Sequence, residues 1–320
     1  MASRGFIRYA WGTLVYTVAV ILWGALVRAT GSGAGCANDW PLCNNEVVPR
    51  PERIETLIEF AHRASSGVAF LLVLGLAIWA FRRFARGHRL RWTSGLAVVF
   101  MITESLVGAG LVLFELVADN ASIARAYWMA GHLLNTFLLL ATLTLTAWWS
   151  SHTAPLRVRQ AGAWTLAMGA ALFGVILISV SGAVTALGDT LYRLGGTEPS
   201  ATAELLIGLR TIHPIFSIGA SVGVLLLVLT IAQARPSPRG RLLSRWLSGG
   251  LVGQLGIGAL NVALSAPVWM QLVHLLVADL IWIGLIVFSA VALSETSETD
   301  AAETMAADTS RTSQAGFAQR

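Results

Sequence analysis

Residues 127–149 read YWMAGHLLNTFLLLATLTLTAWW, 23 residues without one formally charged side chain. At 1.5 Å of rise per residue a helix of that length crosses a hydrocarbon core of about 30 Å. A single ionisable group interrupts the run, His132. Ionisable side chains inside a bilayer are costly, and their default reading is functional. The same tripeptide returns at the head of the last apolar run, as His274-Leu275-Leu276. One stretch therefore establishes a membrane helix and hints that its histidine belongs to a repeat.

The rest of the chain follows this pattern. Of 320 residues, 55% are hydrophobic and 12% charged, with a mean hydropathy of +0.68. Such values exclude an ordinary soluble domain. Apolar runs lie near 10–28, 58–81, 93–114, 127–149, 163–187, 210–232, 247–265 and 268–293, the last two parted by Ser265-Ala266-Pro267. The expectation is an all-α integral membrane protein with eight transmembrane helices and both termini on one side of the lipid bilayer. All 22 basic residues are arginine. They collect at Arg4 and Arg8, at Arg82, Arg83, Arg86, Arg89 and Arg91, at Arg157 and Arg159, and at Arg235, Arg239, Arg241 and Arg245. The positive-inside rule makes those loops and both termini cytoplasmic. Topology thus accounts for the net charge of +5 without a nucleic-acid partner. The first run is too long for a signal h-region and lacks a clear cleavage site, so it is expected to stay as helix one. Residues 294–320, rich in Ser, Thr, Ala and acidic side chains, read as a disordered cytoplasmic tail.

Residues 1–160 and 161–293 echo each other. Val107-Gly108-Ala109-Gly110-Leu111-Val112 in run three matches Ile257-Gly258-Ala259-Leu260-Asn261-Val262 in run seven, and Gly24-Ala25-Leu26-Val27 matches Gly182-Ala183-Val184. Four spans separate the copies, so the repeat is parallel. Two pseudo-symmetric four-helix bundles follow, and the small residues read first as helix-packing positions. His62, His132, His213 and His274 fall in the even-numbered runs, shortly after each enters the bilayer from outside. All four are expected near the extracytoplasmic face, about one to two turns deep. A lone membrane histidine is commonly a packed residue bonded to a carbonyl. Four at matched positions of a duplicated unit call for another explanation. Paired histidines on facing helices hold haem iron, so each half is expected to carry one metal–porphyrin position. His88 and His152 fall in cytoplasmic loops and read as solvated.

The longest external connection runs from about Arg28 to Leu57 and holds both cysteines, Cys36 and Cys43. An oxidising compartment permits a disulfide there, and the intervening Asn-Asp-Trp-Pro favours a turn. Such a bridge would either hold the loop as a lid or exchange electrons with an external thiol protein. Next comes Glu59-Phe60-Ala61-His62-Arg63. Glu59 and His62 share a helix face, which sets a carboxylate beside whatever His62 ligates. Glu59 also suits the helix N-terminus and a pair with Arg63. With an iron-bound substrate in this pocket, Glu59 is the group placed to move a proton or stabilise a cation. Arg210 and Pro214 surround His213 instead, so the halves are unequal. Arg28, Arg63, Arg125 and Arg210 are candidates for haem propionates or for lipid headgroups. Glu104 and Asp279 lie in apolar runs, and the five-residue spacing of Asp279 from His274 gives it no catalytic role. Asn135 is a candidate hydrogen-bonding support for His132 or a packing residue.

Taken together, Thr30-Gly31-Ser32-Gly33, Cys36, Asp39-Trp40-Pro41-Leu42-Cys43, Glu59…His62-Arg63, Gly182–Asp189 and Arg210-Thr211-Ile212-His213-Pro214 strongly resemble the haem A synthase family, over roughly residues 9–293. The resemblance implies a prokaryotic plasma-membrane oxidoreductase that makes haem A for terminal oxidases. Its substrate would be haem O, whose C8 methyl becomes a formyl group through successive hydroxylations and loss of water. Carried over by motif, His62 and His132, with Arg63, would bind the substrate haem. His213 and His274 would ligate a resident haem B, Glu59 would be the catalytic carboxylate, and Cys36–Cys43 the disulfide. Haem O synthase and an external thiol or membrane electron-transfer protein are the implied partners. Some members carry a second cysteine pair after helix five; this chain has none between Gly188 and Leu209, which puts in doubt any mechanism that needs it. Two other classes use the same histidines: a dihaem membrane cytochrome that only relays electrons, and a haem carrier or oxidase assembly factor. The cytochrome needs neither Glu59 nor the cysteine loop, and the carrier predicts exchangeable haem in both halves and no oxidised product.

Overall fold

A computed structural model of the chain describes residues 2–50, 53–158, 161–194 and 201–294. The expected tail therefore lies almost wholly outside the described residues. Among them are eight α-helices: α1 (Arg4–Ala29), α2 (Ile54–Arg83), α3 (Arg89–Leu113), α4 (Ile123–Ser151), α5 (Ala163–Leu194), α6 (Ala201–Ala234), α7 (Pro238–Ala263) and α8 (Val268–Ala292). Seven are long and apolar enough to cross a membrane. The exception is α7, for which the sequence reading expects a span equivalent to the others. Arg239, Arg241 and Arg245 occupy its first turns, and the remainder is rich in glycine and carries Gln254 and Asn261. Its length suffices, but its apolar content does not.

Most helices overrun their apolar stretches because the signals that end them are polar. The side chains of Ser3, Ser122 and Ser237 accept from the N–H groups of Phe6, Arg125 and Gly240, at 3.3, 3.3 and 2.9 Å. Each satisfies one of the four orphan donors at a helix start, and Pro238 follows Ser237 where a missing N–H is harmless. His88 acts likewise: its Nδ1 accepts from Leu90 N–H at 3.2 Å, and its ring stacks on Phe84. His152 ends α4 with its ring on Trp148, centroids 3.6 Å apart. Both are helix-end residues rather than merely solvated ones.

Helix α1 packs on α2 and α4, and α3 on α2 and α4; α5 packs on α6 and α8, and α7 on α6 and α8. Further contacts join α4 to α5, and α1 and α4 to α8. One buried cluster gathers Phe6, Leu14, Val73, Leu76, Leu90, Phe137, Leu140 and Leu143, and Trp282 and Ile286 of α8 reach into it. A second holds Met168, Val224, Val228, Ile231, Leu251, Leu285 and Phe288. The Trp282 indole N–H donates to the carbonyl of Phe137 at 2.9 Å, using the lone pair that the helix leaves free. In lipid every polar group needs an internal partner. Thr13, Thr17, Thr142 and Thr146 accordingly donate to the carbonyls four residues back.

Candidate functional site

The four membrane histidines share one local arrangement. A Cβ placed on Gly24 of α1 would stand 2.9 Å from His62 Cε1 and 3.2 Å from Nε2. On Gly182 of α5 it would stand 2.9 Å and 3.3 Å from the same atoms of His213. The distances to Cε1 are 3.2 Å for Gly258 of α7 against His274, and 3.9 Å for Gly108 of α3 against His132. Every ring thus lies against a glycine of the preceding helix. The repeated small residues are imidazole seats, a use that their reading as plain packing positions misses. The rings stand about one and a half to three and a half turns from the starts of their helices, three of which begin before their apolar runs. Within each half the histidines lie in electrostatic range of one another, His62 of His132 and His213 of His274.

Their ring nitrogens differ in what they meet. Glu104 Oε1 lies 3.3 Å from His132 Nδ1, within ion-pair range but too oblique for a well-formed hydrogen bond. Glu104 is itself gripped by Asn135, whose Nδ2 donates to Oε2 at 2.6 Å, and by the Thr136 hydroxyl, which donates to Oε1. Asn135 also donates to the Phe100 carbonyl at 2.8 Å and accepts from Thr103 Oγ1 at 2.6 Å. It therefore supports His132 through Glu104 rather than directly. In the other half, Ser181 Oγ donates to the Ile178 carbonyl and lies 2.9 Å from His213 Nδ1, so it is placed to accept from that nitrogen. Gln254 Nε2 lies 3.3 Å from His274 Nε2 and donates to the His274 carbonyl at 3.1 Å. The Nδ1 atoms of His62 and His274 are buried without a hydrogen-bond partner. Half-buried imidazoles in pairs form a donor set of the kind that holds haem iron.

The loop between α1 and α2 folds onto the start of α2. Cys36 and Cys43 form a disulfide, both nearly fully buried. Gly35 sits so close to α2 that an added Cβ would fall 2.5 Å from the Glu55 carbonyl oxygen. Thr56 Oγ1 donates to the Gly35 carbonyl at 2.7 Å. Glu59, only 3% exposed, accepts the Cys36 N–H on Oε2 at 2.8 Å. Its Oε1 takes two donors from the Arg63 guanidinium, Nε at 3.1 Å and Nη2. Arg63 Nη1 donates onward to the carbonyls of Asp39 and Leu42. Glu59, about one turn before His62, and Arg63, directly after it, thus clasp the disulfide loop.

Two more of the candidate arginines also meet protein acceptors. Arg28 donates to the Ala186 carbonyl at 2.8 Å, Thr190 Oγ1 at 3.1 Å and Gln271 Oε1 at 3.0 Å, tying the end of α1 to α5 and α8. Arg125 donates to the carbonyls of Ala118 and Asn120 at 2.7 and 2.9 Å. The side chain of Arg210 lies outside the described residues. Asp279 is fully buried, and neither carboxyl oxygen has a hydrogen-bond partner. A cavity of about 440 Å³ lined by Leu74, Ile78, Phe81 and Val98 touches none of the four histidines.

Comparison with known proteins places this architecture. A Thermus thermophilus protein named protoheme IX farnesyltransferase is 52% identical over 288 residues, which cover 88% of this chain and 47% of that one. The heme A synthase of Halalkalibacterium halodurans is 41% identical over 131 residues, 41% of this chain and 43% of its own. That of Alkalihalophilus pseudofirmus is 42% identical over 131 residues, with the same shares. The chain spans about half the length, or less, of these curated relatives. The match to the family of cytochrome oxidase assembly proteins (COX15-CtaA) runs over residues 7–286, from the first turn of α1 to near the end of α8, and the chain belongs to that family.

Proposed function

We propose that this protein is a haem A synthase, an oxidoreductase that converts the C8 methyl of haem O to a formyl group. The observation that carries the reading is the set of four glycine-seated imidazoles, paired within each half, with Glu59 one turn from His62 and Glu104 beside His132. Helix neighbours support two four-helix units, residues 1–160 and 161–293, since α1–α4 and α5–α8 each close on themselves. The arginine distribution supports cytoplasmic termini in a prokaryotic plasma membrane. A disulfide in the α1–α2 loop agrees with an oxidising exterior, which sets the four histidines toward the outer face.

In this reading His62 and His132 bind the iron of the substrate haem, and Arg63 helps to shape that end of the site. His213 and His274 hold a resident haem B, which when bound supplies a one-electron route beside the substrate. Oxidising a methyl to a formyl group removes protons and electrons and adds one oxygen. Glu59 is the proton acceptor, its carboxyl oxygens positioned by Arg63 and by the Cys36 N–H. The loop it clasps closes the external end of α2 and limits water there. Seating the rings against glycines fixes the ligands, and so the methyl, before reaction begins.

Farnesylated protohaem is the substrate class that this reaction requires. A relative named for protohaem farnesyl transfer, matched along less than half of its length, supports such a transferase as the supplying partner. The test is haem extraction and mass analysis from cells that express the chain beside a haem O source. A formyl haem is expected. Unaltered haem O from protein with intact haem spectra would refute the synthase and leave an electron-relaying cytochrome.

A further inference from the structure

The two halves place different residues at one position of the repeat. Glu104 stands four residues before Gly108 on α3, and Gln254 stands four residues before Gly258 on α7. Each seat glycine backs the histidine that its long polar neighbour reaches, though at different ring nitrogens: Glu104 faces Nδ1 of His132, whereas the Gln254 amide lies beside Nε2 of His274, from which it would turn aside where that nitrogen takes a metal. The chain offers a carboxylate in one half and an isosteric, uncharged amide in the other.

The carboxylate is built in, not incidental. Three groups converge on Glu104: Asn135 Nδ2 at 2.6 Å, the Thr136 hydroxyl and His132 Nδ1 at 3.3 Å. Asn135 is fixed in turn by Phe100 and Thr103. In the second half, the residues matching Asn135 and Thr136 are Val277 and Ala278, which could hold no carboxylate. Gln254 instead donates to the His274 carbonyl, and its own Oε1 has no partner.

We propose that Glu104 is a positioning residue that makes His132 the stronger electron donor of the two, and that the exchange of Glu for Gln divides labour between the halves. The inference rests on the reading of His132 and His274 as iron ligands. With Nε2 committed to a metal, the imidazole proton sits on Nδ1, facing Glu104. A carboxylate there orients the ring and raises its basicity, as outer partners of ligating histidines do. Negative charge beside the ligand favours the oxidised iron. A neutral amide in the second half leaves its iron easier to reduce. Electrons leaving the substrate half would then run downhill toward the resident haem.

The test is a spectroscopic reductive titration of purified protein carrying haem in both halves, with each signal assigned by its loss in His132→Ala or His274→Ala. Glu104→Gln should keep haem in both halves and make the first-half haem easier to reduce. At a fixed ambient potential, its oxidised-to-reduced ratio should fall at least tenfold, an upward shift of about 59 mV for a one-electron couple. Gln254→Glu should move the second-half haem the opposite way. A purely structural Glu104 would change haem content without these opposed shifts. Full occupancy with an unmoved potential in Glu104→Gln overturns the proposal. Should Glu104→Gln lose its haem, Gln254→Glu decides alone, and an unmoved second-half potential overturns it. If His132→Ala leaves the haem spectrum unchanged, it is the ligation reading that has failed, a separate result.

Discussion

Replacing Gly24 or Gly182 with alanine tests the seating of the imidazoles with the least chemistry altered. The new methyl would lie 2.9 Å from the Cε1 of His62 or His213, whereas ordinary contact begins at 3.4 Å. The ring must therefore retreat by about 0.5 Å, the difference of those two distances. Apo protein can absorb this by turning the imidazole, at a rotamer cost of about 0.5–1.5 kcal/mol, and alanine returns about 0.5–1 kcal/mol of helix propensity. Folding should therefore change little. Ligation is less forgiving, because a site must hold its groups within about 0.5 Å of productive geometry. The methyl uses that whole tolerance, and holding the ring in place against it costs about 1–3 kcal/mol as overpacking. At 1.4 kcal/mol per tenfold, haem affinity in the affected half should fall about 5- to 150-fold. Gly108→Ala is the control, since its methyl would stand 3.9 Å from His132. Haem-to-protein ratio and the low-spin absorbance of each variant, with thermal unfolding in detergent alongside, measure both parts. Wild-type haem content in Gly24→Ala, or equal damage from Gly108→Ala, would refute the reasoning.

Three further outcomes are expected. Replacing Cys36 and Cys43 together by serine should cost about 2–3 kcal/mol, the loop-closure entropy of a bridge spanning seven residues; thermal unfolding with and without reductant measures it, and reductant should leave the variant unmoved. Arg28→Met keeps the aliphatic stem but deletes donors to Ala186, Thr190 and Gln271, so it should lower stability by about 2–4 kcal/mol given net values for charged hydrogen bonds. An unfolding temperature equal to wild type would show that this tie between α1, α5 and α8 is idle. Glu59→Ala should keep the resident-haem spectrum and abolish product, whereas His274→Ala should lose that spectrum; full turnover in Glu59→Ala removes the proton-acceptor role.

Much of this was legible in the chain because bilayers impose strong local constraints. Runs of about 20 apolar residues mark helices whatever they pack against, and ionisable groups inside them stand out, which is how His62, His132, His213 and His274 were found. Glu59 and Arg63 lie within one turn of His62, so helical spacing alone brings them to that end of the site. The cysteines could be paired because the chain has only two. What escaped were relations between helices. Glu104 meets His132 and Asn135 across the α3–α4 interface, a contact that no periodicity within either helix encodes. The partners of Arg28 lie on α5 and α8, 158 to 243 residues away in the chain. Gly108 and Gly258 were visible as a repeat, but a glycine that packs a helix and one that seats a ring look alike until the opposite side chain is known. Helix ends were missed for a simpler reason: Ser3, Ser122 and His88 cap helices from outside the apolar runs, where hydropathy carries no signal.

A duplicated chain permits a comparison within one molecule. Features kept in both halves answer a demand common to both, and features that differ answer demands that differ. The four glycine seats are kept, so holding an imidazole edge against backbone is the common demand. The groups around the seats are not kept. Glu59 is matched by Arg210, Glu104 by Gln254, and Ser181 by Trp23, whose indole turns instead to the Ile58 carbonyl at 3.0 Å. Among these matched groups both carboxylates fall in the first half and their replacements are neutral or basic, while the second half has its own buried acid, Asp279, where the first has Phe137. Under the proposed function, the exchanges at positions 59 and 104 suit a division between a half that takes protons and electrons from a substrate and a half that passes electrons on. In that reading, Glu59 and Glu104 would stabilise cationic character at the first pair, and an amide in place of Glu104 would keep the second site more easily reduced. Two identical halves could bind two porphyrins, but they would give electrons no preferred direction between them.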